Sequence, residues 1–212
     1  MTNVSADHAD LMDATYRHQR LIYDVTRKAF LLGRDHLISD LAPAEDSHVL
    51  EVACGTGRNL AYISARYPGC HLYGLDISEE MLTTARAEVG TKARLARADA
   101  CTFQARALFG HEKFDRIILS YSLSMIPDWK SALAQSVRHL APGGSVHVVD
   151  FGTQANLPRI FVTPLRRFLA RFHVKPRDDL RQVLATSYPG RSEHQDLHRC
   201  YAQYGVIHSS EV

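Results

Sequence analysis

The segment VLEVACGTGRNL, residues 49–60, limits what this chain can fold into more than any other stretch. Val49, Leu50 and Val52 suit a buried strand that carries the acidic Glu51, and Gly55 and Gly57 let the backbone turn tightly and come close to a ligand. A helix over residues 58–67 then points its free N–H groups at whatever sits above the turn. The dinucleotide fingerprint would continue to a third glycine, but Arg58, Asn59 and Leu60 follow Gly57, and no glycine-lysine phosphate loop is present. The segment therefore predicts a strand, a turn and a helix at the entry to a nucleoside-type cofactor site.

The following strands carry the same message. Residues 71–75 form a strand ending in Asp76, about 20 residues past the turn, where α/β nucleoside sites set a carboxylate against ribose hydroxyls. Residues 93–98 form another that ends in Asp99, and residues 114–119 run into Ser120, Tyr121 and Ser122. Three successive strands thus end in polar side chains, at the edge of an open parallel sheet where ligands bind. Each acid could instead be an ordinary helix-start residue, and Ser78, Glu79 and Glu80 do read as a helix start. Three acids or polar groups at one edge favour the ligand site.

Over residues 45–152 these motifs resemble the class I S-adenosylmethionine-dependent methyltransferases, with LAPGGSVHVVDFG, residues 140–152, similar to their loop and fifth strand. The resemblance implies an α/β, Rossmann-like fold: a mostly parallel seven-stranded sheet with helices on both faces, N-terminal helices and a helical insertion after strand five. It implies S-adenosylmethionine as cofactor, with Glu51 near its methionine part, Gly55, Thr56, Gly57 and Asn59 around the turn beneath it, and Asp76 on the ribose. Ile77 is implied against the adenine, Asp99 and the Ala100 amide at the adenine edge, and the Ser120 backbone near the methionine amine. One departure is Ala53, which stands where the fullest form of the motif has its first glycine.

A length of 212 residues fits one domain: a helical cap over 1–45, a cofactor core over 46–152, a basic helical segment over 153–190 and C-terminal strands over 191–212. No internal repeat interrupts this order. No run of about 18 apolar residues occurs and the first residues lack a secretory layout, so a cytoplasmic location is expected, peripheral on the inner face of a membrane. Four scattered cysteines without a CxxC pair argue against a zinc site or a disulfide framework, and none of the 12 histidines forms a metal-binding pair. A net charge of +2 is too small to imply nucleic-acid binding.

Charge is nonetheless uneven. Residues 159–181 hold seven Lys or Arg against Asp178 and Asp179, and Phe161, Leu165, Phe168, Leu169 and Phe172 recur there at helical spacing. A basic amphipathic helix of this kind can lie on an anionic bilayer, or can be a lid that buries its apolar face and solvates its arginines. The two roles are compatible.

Residues 11–37 also read as helical, with Leu11, Thr15, His18, Ile22, Val25, Ala29 and Leu32 on one face. Beside it runs a stripe of Tyr16, Arg20, Tyr23, Arg27, Phe30 and Arg34, which is either a solvated face or part of an acceptor site. The wording YRHQRLIYDVTRKAFLLGRDHLI, residues 16–38, resembles the betaine-lipid N-methyltransferases, as does FHVKPRDDL, residues 172–180. Those enzymes methylate diacylglyceryl homoserine three times to diacylglyceryl trimethylhomoserine, and a companion enzyme that makes the homoserine headgroup is implied with them.

Methyl transfer from a sulfonium is an in-line displacement, so catalysis should come mainly from holding a neutral amine about 3 Å from the methyl carbon. Tyr23 and Tyr121 lead as relays for the amine proton, with His18 behind them. Tyrosine faces stabilise a growing ammonium by roughly 0.5–2 kcal/mol per ring. Arg20 or Arg27 could clamp the homoserine carboxylate, Tyr16 completes that acceptor set, and Arg34 is placed on the cofactor carboxylate. The expected function is N-methylation of a lipid amine at an anionic membrane surface. Phosphatidylethanolamine or a small soluble acceptor are the alternatives, and SYSL after strand four argues against a nucleic-acid base. At the C-terminus CYAQYGVIH, residues 200–208, suits the last strand of an antiparallel hairpin whose partner lies within residues 191–197.

Overall fold

A computed structural model describes residues 31–172 and 174–210. Seven strands form one sheet in the order β3-β2-β1-β4-β5-β7-β6. The strands are β1 (His48–Val52), β2 (His71–Asp76), β3 (Ala93–Arg97), β4 (Phe114–Ser120), β5 (Leu140–Phe151), β6 (Ser192–Leu197) and β7 (Ala202–His208). β1 to β5 pair in parallel, whereas β7 runs antiparallel to both β5 and β6. The chain order reverses between β1 and β4, which opens a crevice at their C-terminal ends.

Both faces of the sheet are covered, which is why β1 is apolar on consecutive positions rather than alternating. On one face Leu50, Val52, Ile117 and Leu119 pack with Trp129 and Leu133 of α5 (Trp129–Arg138) and with Leu180 and Leu184 of α7 (Leu180–Ser187). On the other, Val49, Ile118 and Val149 meet Leu37 and Ile38 of α1 (Arg34–Asp40) and Leu60 and Ile63 of α2 (Arg58–Arg66). Leu82 of α3 (Glu79–Val89) and Leu169 of α6 (Arg159–Arg171) complete that layer. Each fully buried leucine or isoleucine contributes about 1.5–3 kcal/mol. A short α4 (Ala105–Phe109) closes the segment between β3 and β4.

Helix ends follow local chemistry. Ser78 caps α3 by accepting the Met81 N–H at 3.3 Å, with Glu79 and Glu80 in its first turn. Asp76, two residues earlier, is therefore not the cap. The expected helix over residues 11–37 is corrected at its C-terminal end: residues 31–33 are not helical, Gly33 adopts φ 92, and α1 starts at Arg34 and runs to Asp40. A Cβ at Gly33 would lie 3.0 Å from Leu197 Cδ1 and 3.2 Å from Val149 Cγ2, so the break is also a close packing point. The earlier part of that expectation, with Tyr16, His18, Arg20, Tyr23 and Arg27, lies outside the described residues. The basic segment after β5 is two helices, because α6 ends at Arg171 and α7 starts at Leu180. Along α6, Leu169 is buried and Phe168 and Phe172 are half-buried, but Phe161 is 60% exposed rather than core-facing. Among the described residues no helix is long and apolar enough to cross a membrane.

Candidate functional site

The glycine turn is built from backbone that most side chains avoid. Ala53, Gly55 and Gly57 have φ of 57, 55 and 75, and the turn is tied to the sheet by Cys54 N–H donating to the Leu75 carbonyl at 2.9 Å. A Cβ on Gly57 would stand 3.1 Å from the Ala85 backbone, so glycine there lets α2 start hard against α3. No side chain caps α2, which leaves its first N–H groups directed at the space above the turn. Asp76 holds the loop from the next strand, its Oδ2 accepting the Gly55 N–H at 2.8 Å and its Oδ1 the Ser78 N–H at 2.9 Å.

Beside the turn lies a cavity of about 620 Å³ whose wall includes Arg34, Glu51, Thr56, Asn59 and Ser120. Asn59 Nδ2 donates to Glu51 Oε1 at 2.6 Å, holding a carboxylate that is only 2% exposed. Asn59 Oδ1 and Ser120 Oγ are buried without a hydrogen-bond partner among the described residues. Buried polar atoms of this kind carry an unmet hydrogen-bonding demand that a polar ligand can satisfy. The polar set suits the amino-acid end of S-adenosylmethionine: Glu51 and Asn59 Oδ1 can accept from an ammonium, and Arg34 can donate to a carboxylate.

The other expected cofactor residues sit along the same sheet edge but outside that cavity's wall. Asp76 is buried, Ile77 half-buried and Ala100 buried, while Asp99 Oδ1 accepts the Cys101 N–H at 2.8 Å. Tyr121 follows Ser120 with φ 54, is 4% exposed and donates its hydroxyl to the Leu32 carbonyl. Burial, with a smaller push from Asp150, drives its phenol pKa well up, so it stands as a neutral, fixed donor. Burial likewise raises the Cys54 thiol beneath the turn, which leaves it protonated and packed rather than nucleophilic.

Several site residues carry no signal in the sequence. Tyr62, Thr84 and Glu88 line the same cavity because α2 and α3 lie side by side, a tertiary fact that no motif encodes. Away from the cavity wall, Asp150 follows the last parallel pair of β5 and is wholly buried, accepting the Ser124 N–H at 2.9 Å and the Phe151 N–H at 2.7 Å.

Strand order, the antiparallel β7 and the glycine turn together define the class I methyltransferase fold, with a site for S-adenosylmethionine. Residues 49–144 match the family model described as a methyltransferase domain. The chain is similar to a ubiquinone/menaquinone biosynthesis C-methyltransferase of Paracoccus denitrificans, 33% identical over 71% of this chain and 62% of the relative. An O-methyltransferase of Penicillium expansum is 31% identical over 68% of this chain and 52% of its own length. The chain thus spans little more than half of these two relatives. A demethylmenaquinone methyltransferase of Staphylococcus aureus is 24% identical over 94% of this chain and 84% of the relative. Among solved structures, an S-adenosylmethionine-dependent methyltransferase of Thermotoga maritima superimposes with a TM-score of 0.69 at 15% identity, over 94% of this chain and all of that one. The plantazolicin methyltransferase does so at 0.68 and 16%, over 97% of each chain. At these identities the structures speak for the fold alone.

Proposed function

We propose that this protein transfers a methyl group from S-adenosylmethionine to a small organic acceptor. The observation that carries the reading is the cavity of about 620 Å³ beside the glycine turn, with Glu51, Asn59, Ser120 and Arg34 in its lining. Bound there, the cofactor supplies an electrophilic methyl on a sulfonium. The chain's part is placement: Glu51 and Asn59 hold the amino-acid end, and the turn presses backbone against the ligand. The tyrosine and arginine stripe of residues 16–34 is proposed to complete the acceptor side, with Tyr16, Arg20, Tyr23 and Arg27 as its members. Tyr121 acts in this reading as a fixed wall and hydrogen-bond donor. Most of the rate then comes from orientation, which in well-aligned systems is worth about 7–11 kcal/mol.

Relatives named for quinone-pathway methylation and for O-methylation favour a quinol or phenol acceptor over the amine of a diacyl lipid. A second reading keeps diacylglyceryl homoserine as the acceptor and N-methylation as the reaction. It is supported by the wording of residues 16–38 and by the basic, partly apolar outer face of α6. One experiment separates them: the protein with S-adenosylmethionine and, in parallel, demethylmenaquinol, a small phenol, diacylglyceryl homoserine and phosphatidylethanolamine, read by mass spectrometry. A mass gain of one methyl on the quinol or phenol supports the first reading, and stepwise gains on the lipid amine support the second. If calorimetry finds no cofactor binding and no acceptor gains mass, the methyltransferase reading itself fails.

A further inference from the structure

Among the described residues the exposed large hydrophobics are Leu32, Tyr62, Ile160 and Phe161. The Leu32 carbonyl accepts from Tyr121 just past β4, and Tyr62 lines the cavity. Ile160 and Phe161, 74% and 60% exposed, form the tip of α6.

α6 is anchored by its inner side. Leu169 is buried, Leu165 and Phe168 pack partly against the same core as Tyr121 and Phe151, and Arg166 donates to Gln154 Oε1 at 3.0 Å and to the Thr153 carbonyl at 2.9 Å. Helical spacing then turns Ile160, Pro164, Arg167 and Arg171 outward as one stripe, flanked by Phe161, and all five are exposed. The stripe is apolar at its N-terminal end and basic at its C-terminal end, where exposed Lys175 extends the charge. Neighbouring carboxylates are engaged elsewhere: Asp178 lies 3.7 Å from Arg166 and Asp179 lies 3.2 Å from Lys130. No described carboxylate pairs with Arg167 or Arg171.

We propose that this stripe docks the protein on an anionic bilayer. Ile160 and Phe161 enter the headgroup region while Arg167, Arg171 and Lys175 meet lipid phosphates, the arrangement by which amphipathic helices lie in an interface. Charge complementarity selects the occupant: Arg167 and Arg171, which pair with no described carboxylate, stand beside two exposed apolar side chains and match a negatively charged interface rather than a neutral protein face. The inference does not depend on which acceptor is methylated.

The test is sedimentation of the full chain with phosphatidylcholine vesicles and with phosphatidylcholine–phosphatidylglycerol vesicles at low and high salt. Binding is expected only with phosphatidylglycerol and is expected to fade with salt. Arg167→Glu with Arg171→Glu should weaken it by at least about thirtyfold, and Ile160→Ser with Phe161→Ser by about tenfold. The matched reversal Lys113→Glu with Arg138→Glu, away from α6, should leave most of the binding. Circular dichroism and cofactor titration on every variant confirm an intact fold. The proposal is overturned if the protein stays in the supernatant, if neutral vesicles bind equally, or if the α6 variants bind no worse than the matched pair. Failure to pellet with cofactor binding intact would leave the methyltransferase reading standing.

Discussion

The Asp76 carboxylate accepts the Gly55 N–H at 2.8 Å, so the end of β2 holds the turn that follows β1. One side chain thereby sets the height of the cofactor loop above the sheet. Its second oxygen takes the Ser78 N–H at 2.9 Å and orients the entry to α3. Asp76→Ala leaves two buried N–H groups without acceptors, each costing about 1–3 kcal/mol. The expected result is a loss of at least about 2 kcal/mol in urea unfolding, with weaker S-adenosylmethionine binding by calorimetry. Wild-type stability in this variant would show that the loop is held by something else.

Ala53 pays for a conformation that glycine adopts freely. Its φ of 57 places Cβ in the left-handed region, at a cost of roughly 1–2 kcal/mol that the greater unfolded-state freedom of glycine only partly offsets. Ala53→Gly should therefore raise the melting temperature by about 1–3 °C, and Ala53→Val should lower it by more, since branching at Cβ is worse still in that region. A scanning calorimeter reads both. If glycine destabilises, the backbone at Ala53 is relaxed and the turn is held differently.

How much of this was legible in the sequence depends on whether a feature is local. The ends of β2 and β4 were readable because Asp76 and Ser120 close apolar runs, and a buried run leaves a local signature. Gly33 was not readable as a break, since a single glycine inside a helical pattern is tolerated and its left-handed φ follows from packing against Val149 and Leu197. Phe161 illustrates the same limit: periodicity tells which face of α6 it shares, but not that the tip extends past the core. Thr84 and Glu88 reach the cavity only because Gly57 lets α2 and α3 approach.

Gly74 shows how tightly the floor under the turn is packed. It pairs with Glu51 across β1 and β2, and a Cβ there would fall 2.7 Å from Leu60 Cδ1, 2.8 Å from Leu95 Cδ2 and 3.0 Å from Cys54 Sγ. Gly74→Ala should cost about 1–3 kcal/mol through overpacking. Coupling it with Cys54→Ala, which removes one of the three colliding atoms, should recover part of that loss. A double-mutant cycle in denaturant measures the recovery, and strict additivity would place the strain on the two leucines alone.

Acid response brings two buried groups into opposition. Ser145 Oγ lies 2.8 Å from His147 Nε2, His147 Nδ1 lies 2.6 Å from the Tyr204 hydroxyl, and that hydroxyl donates to Asp40 Oδ2 at 2.6 Å. Every contact is satisfied by a neutral His147 bearing its proton on Nδ1. Burial, reinforced by Arg116, lowers its pKa to about 4, whereas burial raises that of Asp150 to about 6 against the hydrogen bonds from Ser124 and Phe151. A depressed histidine gives stability that is whole above its unfolded value of 6.5 and lost as pH falls toward 4, about 3 kcal/mol in all. A raised carboxyl does the reverse: its contribution is whole below 3.8 and lost as pH rises through 6, again about 3 kcal/mol. Between pH 4 and 6 the two slopes cancel in the wild type. In Asp150→Asn the histidine slope stands alone, so stability should fall steeply on acidification through that window. In His147→Gln the carboxyl slope stands alone, and stability should rise instead. Urea unfolding at half-unit pH intervals reads both curves, and parallel curves for the two variants would exclude these residues as the titrating pair.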